Sequence, residues 1–215
     1  MEIDRENENI VLVSDLCDVL DYTKYLTLKE YYSIIYSPKI IVPEAGSILN
    51  NKLSFALFSE KNKLPTPALV SYNLRNSFFF NDSSKKVNTA DELKLFFKTV
   101  FEQTNKSKLF LKLLDSLGGK GCILIEQNKL NEQINLYKEE LLNNSYIHQE
   151  VALQHADINK IHEKSINTIR IDTFIDKYNE VHILSAAMRF GVGNSLVDNA
   201  SSGGFYVSLD LNTSK

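Results

Sequence analysis

Residues 115–126 read DSLGGKGCILIE, so Gly118, Gly119 and Gly121 crowd around Lys120 just before an apolar run. Glycine amides carry no side chain to obstruct them, and several in succession form a concave nest that suits a phosphate. Upstream stands Lys112 in LFLKLL, where a period of two puts Phe110 and Lys112 on one face of a strand and Leu109, Leu111 and Leu113 on the other. A lysine inside an apolar strand wants a counter-charge, and an anionic ligand lying between Lys112 and the glycines would supply it. The loop is not a Walker A loop. That motif needs Ser or Thr after Gly-Lys and then a helix, whereas Lys120 precedes Gly121 and the β-branched, apolar CILIE. The plain alternative is a tight hairpin turn, for which glycine is the default residue.

A second set of charged residues lies further on. In NTIRIDTFID, alternation puts Thr168, Arg170 and Asp172 on one face, and in EVHILSAAMRF it puts Ser185, Ala187 and Arg189 together. Two arginines among small residues leave room for a ligand, and a guanidinium can brace a phosphate bidentately. The bland reading is an Arg170–Asp172 pair on an exposed sheet face, worth about 0 to 1 kcal/mol.

The elements that must position these residues follow from periodicity and caps. TLKEYYSIIY opens with a capping box of Thr27 and Glu30, and NNKLSFALFSEKN places apolar residues at helical spacing behind an Asn cap. Pro65 and Pro67 then mark a boundary, because proline disfavours helix at the residue before it. Beyond them the pattern alternates: strands ALVSY and SFFF, a helix from Thr89 with Glu92 as its box partner, strand LFLKLL, the glycine loop, strand CILIE, helix NEQINLYKEELLNN and strand YIHQEVA. From Asn167 three strands follow without a helix, the last being GGFYVSLDL, which predicts an antiparallel sheet. The fold class is α+β. We expect a helical segment at 1–64, an α+β lobe carrying the glycine loop at 65–150 and the start of an antiparallel lobe at 151–215.

Composition bounds the function. The 24 basic and 27 acidic residues are spread along the chain for a net charge of -3, so no basic field exists to attract nucleic acid. Cys17 and Cys122 lie far apart without C-x-x-C spacing, which argues against a zinc site or a disulfide framework and fits a reducing cytoplasm. The acidic start MEIDRENEN is unlike a signal peptide, and no apolar run approaches the ~20 residues that span a bilayer.

The order of strand with lysine, glycine flap, strand, helix and strand with a polar linker resembles the nucleotide-binding lobe of the ATP-grasp superfamily. The nearest likeness is to its sugar-transfer associated family, found with polysaccharide and capsule biosynthesis genes, and more distantly to the glutamate-ligase branch. The motifs NNKLSFALFSEKNKLPTPAL, LFLKLLDSLGGKGCILIE, YIHQEVALQH, SINTIRIDTF, AAMRFGVG and DNASSGG occur in family order and cover most of residues 48 to 210. The resemblance implies two α+β lobes with ATP between them. It also implies a carboxylate-amine ligase that works through an acyl phosphate on a small-molecule or sugar carboxylate, with magnesium as metal.

Carried over by position, Lys112 would hold the α- and β-phosphates, and Gly118, Gly119, Lys120 and Gly121 would cover the phosphate chain. Gln149, Glu150 and Val151 match the linker that meets the adenine edge, with Asp157 as a ribose contact. A solvated carboxylate is the competing reading of Glu150, and His155 reads as a structural histidine. Asn167, Thr168, Arg170, Arg189 and Asn199 become substrate or phosphate contacts, with Gly203 and Gly204 forming a turn that lets backbone approach.

The likeness also has a gap. The family's metal ligands, an acid and then Glu-x-Asn, follow the DN...GG segment, whereas here VSLDLNTSK brings only Asp210. The expectation is therefore a chain that lacks the metal-binding end of its C-terminal lobe, with no metal ligand assigned and no turnover alone. Two other readings stay open: a non-catalytic nucleotide- or sugar-binding module assisting a glycosyltransferase, and a structural domain whose glycine loop is only a hairpin. A homo-oligomer is also left open.

Overall fold

A computed structural model describes residues 27–116 and 118–210. Cys17 and the residues after Asp210 therefore lie outside the described residues. The chain divides into two compact units, residues 1–47 and 48–215.

In the first unit the Thr27 box opens helix α1 (Leu28–Ile35), with the Thr27 hydroxyl and the Glu30 carboxylate each capping a backbone amide of the other. Helix α2 (Pro43–Asn50) starts on proline, whose fixed φ suits a first helical turn and whose missing N–H costs nothing there.

The second unit opens on helix α3 (Lys52–Lys61), where the Asn51 side chain accepts from the Ser54 amide. Strands β1 (Leu69–Leu74), β2 (Ser77–Phe80) and β3 (Ser83–Lys86) follow, then helix α4 (Ala90–Thr104) with its Thr89–Glu92 box. Strands β4 (Lys108–Leu113) and β5 (Ile123–Glu126), helix α5 (Leu130–Asn143) and strand β6 (Tyr146–Glu150) complete an antiparallel sheet of order β3-β2-β1-β6-β4-β5. Strand β3 is the element that periodicity misses. Its SSKK has no apolar residue and all four positions are exposed, so only the ladder to β2 makes it a strand.

Helices α4 and α5 cover one face of this sheet. Phe97, Phe101, Ile134 and Leu141 meet Phe78, Leu109, Leu111, Ile125 and Tyr146, all essentially without exposure. Each such side chain contributes roughly 1.5–3 kcal/mol by leaving water. His148 sits inside this core, bonded to the Ser71 hydroxyl through Nδ1 at 2.7 Å and to Asn73 Oδ1 through Nε2 at 3.1 Å. Burial pushes its pKa down to about 3, so the imidazole is neutral.

A short helix α6 (Ala156–Asn159) leads to a second antiparallel sheet of β7 (Ile169–Ile175), β8 (Val181–Phe190) and β9 (Phe205–Ser208). The register pairs Arg170 with Ala187 and Asp172 with Ser185, as alternation predicts, and a bulge follows Asp172. The other face carries Ile169, Ile171, Ile183 and Val207, each about half exposed. The mixed architecture agrees with the α+β expectation.

Candidate functional site

The free face of the first sheet, the glycine loop and the 196–199 segment enclose a cavity of about 460 Å³, within the size range of ligand pockets. Its floor is the β4 face that carries Phe110 and Lys112. Strand pairing fixes that orientation, because Leu109 and Leu111 point into the helix-covered core.

The Lys112 ammonium lies 5.7 Å from the centre of the Phe110 ring, and among the described residues it has no hydrogen bond and no carboxylate partner. Burial and the neighbouring Lys52 pull its pKa below the usual lysine range, against the opposing pull of Cys122. Lys52, at the start of α3, also lines the cavity and donates to the carbonyls of Leu114 at 3.2 Å and Ser116 at 2.5 Å. Its pKa is lowered by burial as well. The Cys122 thiol faces the same space, and burial pushes its pKa up in spite of the two lysines. Two cations thus share this space with a thiol held protonated, and of the two only Lys52 also feels a carboxylate, that of Asp115. Such a pair is costly unless an anion joins it.

The glycine loop forms the adjoining wall. Gly118 and Gly119 line the cavity, whereas Lys120 is exposed and does not. Gly119 has φ +79°, and a Cβ there would lie 2.8 Å from Val197 Cγ2. Gly121 does not line the cavity either, but its φ is +68° and a Cβ would collide with Leu113. Both positions need glycine for the close approach as well as for the turn. Strands β4 and β5 pair antiparallel on either side, so the loop is a hairpin connection and a cavity wall at once. The Ser202 hydroxyl donates to the Gly118 carbonyl at 2.9 Å and ties this wall to the turn after Asn199.

The end of β6 and the segment after it supply Glu150, Val151 and Ala152. Glu150 accepts the Ala68 amide at 3.0 Å and the Lys106 ammonium at 2.9 Å, and these two bonds hold its pKa below the usual carboxylate range. Gln149 pairs with Phe110 across the sheet but does not line the cavity, and its side chain donates to the Pro67 carbonyl at 2.9 Å. Asp157 is two-thirds exposed and paired with Lys160, outside the cavity. His155 caps α6 by accepting from the Asp157 amide.

The segment that leads into β7 brings Ile166 and Thr168 to the cavity, and Asn199 joins them from the loop before β9. Thr168 is held by Asp198, a 5% exposed carboxylate that also lines the cavity. Arg189 bonds the Thr168 hydroxyl. Arg170 takes the bland course: its Nε lies 3.1 Å from Asp172 Oδ1 with the side chain 59% exposed, and it does not line the cavity. Asn167 is spent on the protein, with its amide bonded to Gln154, His162 and Gly191. Gly203 has open space around it, while a Cβ on Gly204 would lie 2.6 Å from the Asp198 carbonyl, so Gly204 is a packing glycine.

Lys52, Cys122 and Asp198 are the lining residues that sequence reasoning passed over. A lysine in the first turn of a helix opposes the helix dipole, and that cost was the available signal for Lys52. Thr168–Asp198 and Lys52–Ser116 are long-range contacts that no local pattern encodes.

Other clusters suit an anion less well. A cleft of about 510 Å³ against β1 and β2 is lined by Glu60 and Asp82 and by no cation. Asp176, Glu180 and His182 bring ligand atoms within 4.8 Å of one another at the β7–β8 hairpin, but Asp176 is already engaged there with the amides of Tyr178 and Glu180 and with His182.

The two carboxylates lining the main cavity, Glu150 and Asp198, are both bonded to donors, so no magnesium ligand is assigned among the described residues. No helix among them is long and apolar enough to cross a membrane. A search of the curated proteins finds no match, and a search of the solved structures finds none. The family profile described as sugar-transfer associated ATP-grasp matches residues 31–215, which include every wall of the cavity. An anion-seeking cavity under a glycine hairpin and a match of that length lead to one conclusion: the chain belongs to the sugar-transfer associated ATP-grasp family, and that membership implies ATP binding.

Proposed function

We propose that the cavity holds the phosphate chain of ATP, and that the chain is built as a carboxylate-amine ligase of surface-polysaccharide biosynthesis, acting in the cytoplasm. The observation that carries this reading is the pair Lys52 and Lys112 lining one cavity beneath the glycine hairpin, with Lys112 lacking a carboxylate partner among the described residues. An ammonium is a compact charge partner for phosphate, and the glycine backbone can close on it without obstruction. The apolar side, with Phe110, Val151 and Ala152, suits the adenine ring, and the backbone of 150–152, which lines the same cavity, would meet its edge. In such a ligase a carboxylate oxygen attacks the γ-phosphorus and ADP leaves, after which an amine displaces phosphate from the acyl phosphate. Thr168 and Asn199, which line the cavity, and Arg189, bonded to Thr168, would meet the acyl group.

A second reading is a nucleotide- or sugar-binding module without turnover. It is favoured by the engagement of both lining carboxylates, which leaves neither of them free as a magnesium ligand among the described residues. Calorimetric titration with magnesium-ATP tests the shared part: wild type binds and Lys112→Ala does not. Absence of binding, or binding indifferent to the substitution, refutes the nucleotide reading. ATP-dependent consumption of a carboxylate and an amine by the purified chain then distinguishes ligase from module.

A further inference from the structure

Asp198 sits at the centre of a closed set of hydrogen bonds. Its Oδ2 accepts the Thr168 amide at 2.9 Å and the Thr168 hydroxyl at 2.5 Å. The hydroxyl oxygen in turn accepts Arg189 Nε at 3.0 Å and Nη2 at 2.6 Å, while Asp198 Oδ1 lies 3.5 Å from Nη2. A threonine hydroxyl has one proton and two lone pairs. With the proton committed to the carboxylate, both lone pairs face the guanidinium, and every bond in the set has a fixed direction. Arg189 does not itself line the cavity, but both of its partners do. Among the described residues its Nη1 donors have no partner.

We infer that Asp198 is a positioning residue for Arg189: acting through Thr168, it locks the guanidinium beside the cavity and leaves the Nη1 donors free for an anionic group of the ligand. This rests on the anion-binding reading proposed above. One carboxylate and one guanidinium leave the set without net charge, so it supplies oriented donors, whereas Lys52 and Lys112 supply the charge. Affinity for any polyanion then depends on the lysines, and the placing of one particular anionic group depends on Asp198. An arginine freed from this set would sample many rotamers and lose that placement.

The test titrates the full chain with tripolyphosphate, magnesium-ATP and adenosine. Asp198→Asn keeps the shape but removes the charge. It is expected to weaken tripolyphosphate and magnesium-ATP about tenfold, the loss of one charge-assisted hydrogen bond, and to leave adenosine unchanged. In an Arg189→Ala background the same substitution is expected to have no further effect, since its action runs through that arginine. Thr168→Val should reproduce the loss and Thr168→Ser should restore it, and this pair carries the test if Asp198→Asn does not fold. Equal weakening of adenosine, additivity with Arg189→Ala, or tighter phosphate binding would each overturn the inference. If wild type binds tripolyphosphate but not ATP, the nucleotide reading fails while the Asp198 comparison proceeds on tripolyphosphate. Binding of neither overturns both.

Discussion

Replacing Lys112 with methionine separates what this residue does for the fold from what it does for a ligand. Lys112→Met keeps an unbranched stem against Phe110 and deletes the ammonium. That ammonium is largely buried and lacks a carboxylate partner among the described residues, with the centre of the Phe110 ring 5.7 Å away. A cation–π contact contributes about 0.5–1 kcal/mol at an exposed site and about 2 kcal/mol when desolvated, and burial still leaves the lysine's pKa below its ordinary range. The sign follows from linkage. Because the folded state holds this proton less tightly than the unfolded chain, the buried cation costs stability at neutral pH, and stability is recovered as pH rises toward the ordinary lysine range. Lys112→Met should therefore raise the thermal midpoint at pH 7, with the gain fading in alkali. The same change should weaken magnesium-ATP about 10- to 100-fold, corresponding to ~1.5–3 kcal/mol for a hydrogen bond to a charged group. Wild-type affinity should itself fall as pH rises through the lowered lysine pKa. The assay is thermal unfolding at pH 7 and 10 alongside calorimetric titration. A lower midpoint with unchanged affinity would show that the ammonium serves the fold and would refute the reasoning.

Acid should unfold the first sheet through His148, whose pKa is about 3 against an unfolded value of 6.5. Its contribution is complete above pH 6.5 and is lost as pH falls, by about 2 kcal/mol between pH 7 and 5, so urea unfolding that is flat over this interval would sink the claim. Gly119→Ala should destabilise by roughly 1–3 kcal/mol from backbone strain and the Val197 clash; adding Val197→Ala should return only the steric share, as read by urea unfolding of the single and double variants. Glu150→Gln should cost less than about 1 kcal/mol, because the Lys106 pair is more than a third exposed at Glu150 and screened by solvent. A larger loss on chemical denaturation would mean that this carboxylate holds the 150–152 segment in place.

Much of the fold was legible because its causes are local. The Thr27–Glu30 and Thr89–Glu92 boxes satisfy amides within one helical turn, and alternation alone put Lys112 opposite Leu109 and Leu111. The same alternation placed Arg170 and Arg189 on one face of the second sheet, yet it could not say which of them would meet the cavity. Arg170 was taken by Asp172 on its own strand, whereas Arg189 was drawn to Thr168 and Asp198, whose proximity depends on the loop before β9 folding back. Likewise the sequence by itself determined that residues 118–121 join two strands and must contain glycine. Only the tertiary structure set Val197 and Ser202 against that loop and brought Lys52 of α3 beside Lys112. Caps and strand faces depend on neighbours a few residues apart, but a site for an anion depends on which distant charges are left unpaired once the sheets have closed, and that is a property of packing.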